Sequence, residues 1–289
     1  MNSGIVLGPA PAHTMDLISY GDSIPDGDYR LHSAFANAIN FRKGKLIVSL
    51  VPPRTGAGPL NVVMKQLPLG AKRLRASRFC FYVDENRLRK DPAALYSSRV
   101  PLLAGTEPET VLGNTLVFIL LLIRFSKPKS LAFIFDTALE KDFSRVFEKN
   151  MLARFKKGAA YFRTGDYARG AKTMRGLGMG LTPSGDDFLS GLLAGYYFAL
   201  VNLRFNTRER MDLVFLNSEG GNFISNAFIS SSYAGKVNAK VRRLMLALAG
   251  RDRRELAAAA KAALQSGHTS GADFCSGLAF ALQDVLRAP

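Results

Sequence analysis

A nine-residue segment occurs twice in this chain, and the repeat restricts how the second half can fold. Ser184–Leu192 reads SGDDFLSGL and Ser270–Leu278 reads SGADFCSGL, with seven of nine positions identical. A Gly and a Thr precede each copy, Gly180 and Thr182 in the first and Gly267 and Thr269 in the second, offset by one residue at Pro183. The identities fall on Ser, Gly, Asp and Phe rather than on common fillers, so coincidence explains them poorly. Each copy opens like a helix. Ser184 and Ser270 stand where an N-cap belongs, and Asp187 and Asp273 follow three residues later, the acidic form of a capping box. Small residues four apart come next, in Gly191-Leu-Leu-Ala-Gly195 and Gly277-Leu-Ala-Phe-Ala281. Such faces let two backbones approach closely. Segment 185–203 is apolar nearly all round, so it must be buried. The two helices are expected to cross near their starts, holding the capping loops within about 15 Å of each other, given ~1.5 Å of rise per residue.

The same segments supply the candidate site. Free backbone N–H groups and the positive end of the dipole make a helix start attractive to phosphate or carboxylate. Glycines at 176, 178 and 180 let the chain pass close to a ligand or adopt positive φ. Two converging helix starts surrounded by Thr182, Ser184, His268, Thr269 and Ser270 are expected to hold a small dianion, with Gly178, Gly180, Gly185 and Gly271 allowing close approach. Asp187 and Asp273 are read as supporting helix caps. Asp186 is the freer carboxylate and, with His268, is the candidate for handling protons. Beside a phosphate the Asp186–Asp187 pair could hold Mg²⁺, although adjacent helix residues point about 100° apart. Three histidines (His13, His32, His268) and no Cys/His cluster argue against zinc, and no metal ligand is assigned. Ile224–Tyr233 is Ser-rich within a helical pattern, which marks polar lining or close packing. The rival reading of both motifs is structural: two caps left by a duplication.

Around this repeat the chain changes character. Up to about residue 145, a boundary good to several residues, it is punctuated by Gly and Pro and carries strand-like runs at Lys45–Val51, Leu60–Met64 and Arg78–Val83. Two helical patches near Ser33–Asn40 and Glu109–Phe125 are expected to interrupt the sheet, with Leu131–Phe135 as a final strand. From Asp142 onward apolar residues recur at i, i+3, i+4 spacing, predicting helices near 142–163, 166–175, 185–203, 207–217, 221–234, 237–249, 252–265 and 271–287. The expected fold is α+β: a mostly-β unit over residues 1–145 packed against an all-α unit over 146–289 that carries the duplicated motif.

Composition narrows the function classes. Thirty-nine basic against 23 acidic residues leave a net charge of +16, which welcomes anions without identifying one. The basic residues are dispersed at helical spacing, with no helix-turn-helix signature and no interleaved aromatics, so specific nucleic-acid binding is not expected. Two distant cysteines in apolar surroundings read as reduced cytosolic thiols. The start MNSGIVLGPAPAH lacks the pattern of a signal peptide. The most apolar run, Leu116–Ile123, is about half the ~20 residues of a membrane helix. A cytoplasmic protein with no membrane partner is expected.

Taken together, G-x-G-L-T-P-S-x-D-D at Gly178–Asp187 and G-H-T-S-G-A-D at Gly267–Asp273 resemble a family long labelled as of unknown function. It includes the AllH-type subunit of oxamate carbamoyltransferase. The similarity extends to Asn37–Phe41, Leu46–Leu50, Gly56–Pro59 and the Ser-rich helix, and it is weakest between about Met64 and Asn150. Met179 departs from the family, which usually has Pro there. The resemblance implies carbamoyl transfer between oxalurate and phosphate, giving oxamate and carbamoyl phosphate in purine (allantoin) catabolism. It also implies partner subunits, one similar to acyl-CoA synthetase subunits. All three implied ligands, oxalurate, phosphate and carbamoyl phosphate, are small anions. A transition state with developing oxygen charge would use fixed donors at the helix starts. The competing expectation is a non-catalytic assembly or ligand-sensing subunit.

Overall fold

The computed structural model describes residues 16–287. The N-terminal segment read above as lacking a signal peptide, and His13 within it, lie outside the described residues. Among the described residues nine strands form, all before residue 97: β1 Leu17–Gly21, β2 Gly27–Phe35, β3 Ala38–Lys43, β4 Leu46–Val51, β5 Asn61–Met64, β6 Arg73–Ala76, β7 Cys80–Val83, β8 Asn86–Arg89 and β9 Leu95–Tyr96. They form one sheet in the order β8-β7-β6-β2-β3-β4-β5-β1-β9. All pairs are antiparallel except β4 with β5 and β1 with β9. The sheet curls, so that Tyr20 of β1 meets Phe81 of β7 edge to face at 5.7 Å. Its concave side encloses one apolar core, including Tyr29, Phe41, Val48, Leu74, Phe81 and Leu88.

Among the described residues nine α-helices follow: α1 Pro108–Phe125, α2 Val146–Arg163, α3 Tyr167–Met174, α4 Ser184–Asn202, α5 Arg208–Ser218, α6 Phe223–Tyr233, α7 Ala239–Ala249, α8 Arg253–Leu264 and α9 Ser270–Leu286. They share a second core that runs from Val100 to Val285. The architecture is the α+β arrangement read from the sequence, a curled nine-stranded sheet followed by a run of helices. Eight helices agree with the periodic segments to within a few residues.

Three expectations fail. Ser33–Asn40 is not helical; it is the turn of the β2–β3 hairpin, closed by the Phe35–Ala38 pair. Ser33, Ala34 and Phe35 pair with Asn40, Ile39 and Ala38, and β4 pairs with Ile39 and Asn40 on the far side, so tertiary context overrides local propensity. The helix near Glu109–Phe125 exists as α1 but follows the last strand instead of interrupting the sheet. Leu131–Phe135 is not a strand, because Leu131–Ile134 forms a buried 3-10 turn whose first amide donates to the Asp273 carboxylate at 2.7 Å. α1 is long and apolar enough, by length and composition, to cross a membrane. Its Val111, Phe118 and Leu122 are buried in the helical core against α7, α8 and α9.

The crossing of α4 and α9 is the densest contact between elements. A Cβ built on Gly191 would lie 1.9 Å from the Phe274 carbonyl oxygen, and one on Gly277 would lie 2.0 Å from that of Phe188. Backbone therefore touches backbone across the pair, in each direction, as the small-residue spacing predicts. A seam joins helices to sheet: Val100 N donates to Gly235 O at 2.8 Å, Val237 N to Ser98 O at 2.8 Å, and Ala239 N to Ala57 O at 3.0 Å.

Candidate active-site cavity

The α4–α9 crossing puts both copies of the repeat at the floor of one cavity of about 630 Å³, between the helices and the sheet. The loops before the two helices meet directly: the hydroxyls of Thr182 and Ser270 are 3.2 Å apart. Of the residues singled out in the sequence, Gly180, Thr182, Asp187, His268, Thr269, Ser270 and Gly271 line the cavity. Gly178, Ser184, Gly185, Asp186 and Asp273 do not.

The details correct the capping reading. Pro183 and Thr269, not Ser184 and Ser270, are the N-cap residues, and neither helix start has a side-chain cap. A capping box at α4 is chemically impossible, because its N-cap proline has no N–H for the N3 carboxylate, Asp186, to accept from. The carboxylates are used across the duplication instead. Asp187 Oδ2 accepts from the Thr182 hydroxyl at 2.9 Å, and the Ser270 hydroxyl of the other copy also favours its charged form. Asp273 holds Leu131 N, while the hydroxyls of Ser184, again from the other copy, and Thr269 act on it. Each acid thus faces a serine of the opposite repeat.

Two amides expected to greet an anion are occupied. Gly185 N donates to Leu177 O at 2.8 Å, and Gly271 N to Ser266 O at 2.8 Å. Both glycines instead permit close chain passage, since a Cβ on Gly185 would sit 1.9 Å from Met174 O and one on Gly271 2.4 Å from Ala263 O. Gly178, at φ +128°, lies against Ser184 N and folds the loop back on the helix start. Asp186 is buried and turned away from the cavity, its Oδ1 accepting from Gly176 N at 2.7 Å. That contact gives it the place of a loop-holding group, not of a substrate contact, and separates it from Asp187 as an Mg²⁺ ligand. Among the described residues no group of three or more His, Cys, Asp or Glu side chains is placed to hold a metal ion.

Burial dominates the electrostatics. It pushes Asp187 well above the ordinary carboxyl range, with repulsion from Asp273 adding to it. It pushes Asp273 up to about 7 against the opposing hydrogen bond from Leu131. Asp186 is raised too, by burial, with the Gly176 amide resisting. Two neighbouring buried acids without a cationic partner favour holding a proton. Asp273 Oδ2, which is buried and has no hydrogen-bond partner, fits that state.

The sheet and seam sides of the wall were not foreseen, while the Ser-rich helix was read as polar lining or packing. Asn40, Ser49 and Asn61 stand in register across β3, β4 and β5 and face the cavity. Ser49 donates to Asn40 Oδ1 at 2.7 Å, and Asn40 to the Ser33 hydroxyl at 3.0 Å. Lys236 and Asn238 enter from the seam, and Ser231 and Ser232 of the Ser-rich helix α6 complete the polar lining. A sequence signal existed: Ser49 interrupts the apolar run LIVSLV at a buried position.

No curated protein and no solved structure matches the chain. Residues 174–282, which contain both copies of the repeat and every helix-side loop of the cavity, match the family described as oxamate carbamoyltransferase subunit AllH.

Proposed function

We propose that the chain is a carbamoyltransferase subunit that binds a small anionic or carbamoyl-bearing ligand in the cavity between sheet and helices. The observation that carries this reading is the joint lining of one cavity by both repeats, inside the segment that matches a carbamoyltransferase-subunit family. The reaction it fits is carbamoyl transfer between oxalurate and phosphate, in company with other subunits, as purine-ring catabolism would use. The donors available to oxygen atoms of such a ligand are the hydroxyls of Thr182, Thr269 and Ser270, the exposed His268 and the Lys236 ammonium, rather than the engaged amides of Gly185 and Gly271. His268 keeps its assigned role as proton-handling or anion-contacting group. Asp187 replaces Asp186 as the acid within reach, through Thr182 and Ser270. At about 630 Å³ the space falls within the ~300–1,000 Å³ of small-molecule sites, with room for two small reactants.

Two measurements test this. Phosphate, oxalurate or carbamoyl phosphate at a hundredfold excess over Kd is expected to stabilise the fold by about 2.7 kcal/mol, or about 5–10 °C in Tm. In a complex reconstituted with partner subunits, His268→Ala is expected to lose phosphate-dependent oxalurate breakdown at least tenfold with Tm unchanged, and Lys236→Ala to lose it as far with a lowered Tm, because Lys236 also donates to Ser23. No thermal shift with any of the three ligands, together with full turnover in both variants, would sink the reading and leave a non-catalytic assembly subunit. That second reading has its own support, since Gly185, Gly271, Asp186 and Asp273 all do structural work at the helix starts.

A further inference from the structure

The outer face of the sheet is divided. Its β3–β4–β5 end, with Asn40, Ser49 and Asn61, is roofed by helices and forms the cavity wall. The β8–β7–β6–β2 end is bare, and it is basic. Strand register sets the charges side by side: Arg30 pairs with Arg42 on one flank and Arg73 on the other, Arg75 with Asp28 on one flank and Tyr82 on the other, and Tyr82 with Arg87. Arg89 stands two residues along β8 from Arg87, on the same face. Among the described residues, Glu85 at 3.6 Å from Arg73 is the one carboxylate within 4 Å of these six guanidinium groups.

Like charges directly opposite one another in a sheet destabilise it. Protection of an exposed edge accounts for charges on β8. It does not account for Arg30 and Arg73, a like-charged pair on the interior strands β2 and β6. The cost is therefore unexplained by the fold and calls for an anionic counterpart. We propose that this bare basic face is the docking surface for an acidic face of a partner protein, placed beside the cavity. Arg42 is two residues, about 7 Å, along β3 from Asn40 in the cavity wall.

The chemistry favours protein carboxylates. All six cations are arginines, whose planar forks pair with carboxylates in bidentate fashion and which are enriched, with tyrosine, at protein interfaces. A single-strand nucleic-acid platform needs bare ring faces for bases. Here the rings are already capped, with Arg75 over Tyr82 at 4.2 Å and Arg42 over Phe223 at 3.5 Å. The inference does not depend on which reaction the cavity performs.

The test uses the full chain with labelled poly-L-glutamate, a dT 30-mer and phosphatidylserine vesicles at 50 mM NaCl. Poly-L-glutamate is expected to bind in the micromolar range and at least tenfold more weakly to the Arg30→Glu/Arg75→Glu variant. An equal charge reversal on α8 and the loop before it, Arg251→Glu/Arg254→Glu, is expected to leave affinity within twofold. Arg30→Glu alone is expected to raise Tm, because it replaces two repulsions with two attractions. Equal losses in the two double variants would overturn the proposal, as would a fall in Tm on Arg30→Glu. Binding of dT or vesicles ten times tighter than poly-L-glutamate would overturn it in favour of that other partner.

Discussion

At the scale of single residues, the cavity floor turns on two acids whose surroundings disfavour their charge. Asp273 is buried, holds the Leu131 amide with one oxygen and leaves the other unpartnered. Burial raises its pKa to about 7 from an ordinary 3.8. A carboxyl whose folded value lies above its unfolded value binds the proton more tightly in the native state. Its contribution to stability is whole below the unfolded value and is lost as pH rises through about 7. Asp187 is raised by the same burial and by Asp273 itself, so the two titrate as a pair. Asn at 273 keeps an acceptor for Leu131 N and is neutral at every pH. Relative to the wild type, the Tm of Asp273→Asn is therefore expected to rise between pH 5 and pH 8, as read by calorimetry. A gap independent of pH would mean that the acid is already ionised at pH 5. Spacing alone could not reveal this arrangement. Ser-x-x-Asp looks local in a sequence, and only the fold shows that each acid answers the serine of the other copy.

At the scale of elements, periodicity and small-residue spacing carried most of the information. Apolar residues at i, i+3, i+4 marked eight helices, and the Gly191 and Gly277 faces foretold which two would cross. What stayed hidden lay where pairing partners decide. Ser33–Asn40 became a hairpin because its two arms pair with each other and β4 takes the far side of Ile39 and Asn40. Leu131–Ile134 became a turn because a carboxylate on α9 takes its amide. The crossing can be tested directly. Gly277→Ala forces a methyl to within 2.0 Å of the Phe188 carbonyl and 2.7 Å of Leu192 N, both backbone atoms that cannot rotate aside. Overpacking of this kind costs about 3 kcal/mol or more, so Tm is expected to drop about 6–12 °C. Gly113→Ala in α1 is the control, because its nearest new neighbour is the flexible Arg253 guanidinium at 3.7 Å. It is expected to stabilise by up to about 1 kcal/mol. Equal effects at the two sites would refute close backbone contact between α4 and α9.

At the scale of the whole molecule, the cavity exists only because sheet and helices are held in one relation, and that relation rests on a short polar seam. Asp22, at the end of β1, accepts from Ser98 through both its amide at 2.9 Å and its hydroxyl at 2.6 Å. Next to it, the Lys236 ammonium donates to Ser23 at 2.7 Å, and Tyr96 donates to Val237 O at 3.0 Å. Burial alone would raise the Asp22 pKa. The two Ser98 bonds, the Ser23 hydroxyl and the Lys236 charge outweigh it and hold the carboxyl below its ordinary value. A lowered carboxyl stabilises the fold above the unfolded value and loses that contribution as pH falls through the folded one. Asn at 22 retains one acceptor but not the charge, and hydrogen bonds to charged groups are worth about 1.5–3 kcal/mol. Asp22→Asn is therefore expected to lower Tm at pH 7 and to narrow its gap to the wild type as pH falls below 3.8. Because Lys236 and Asn238 reach the cavity from this seam, the variant is also expected to show a smaller Tm rise with phosphate. A variant with lowered Tm but an undiminished phosphate response would show that the ligand is held by the helix-start loops alone, with the sheet serving as a lid rather than as part of the site.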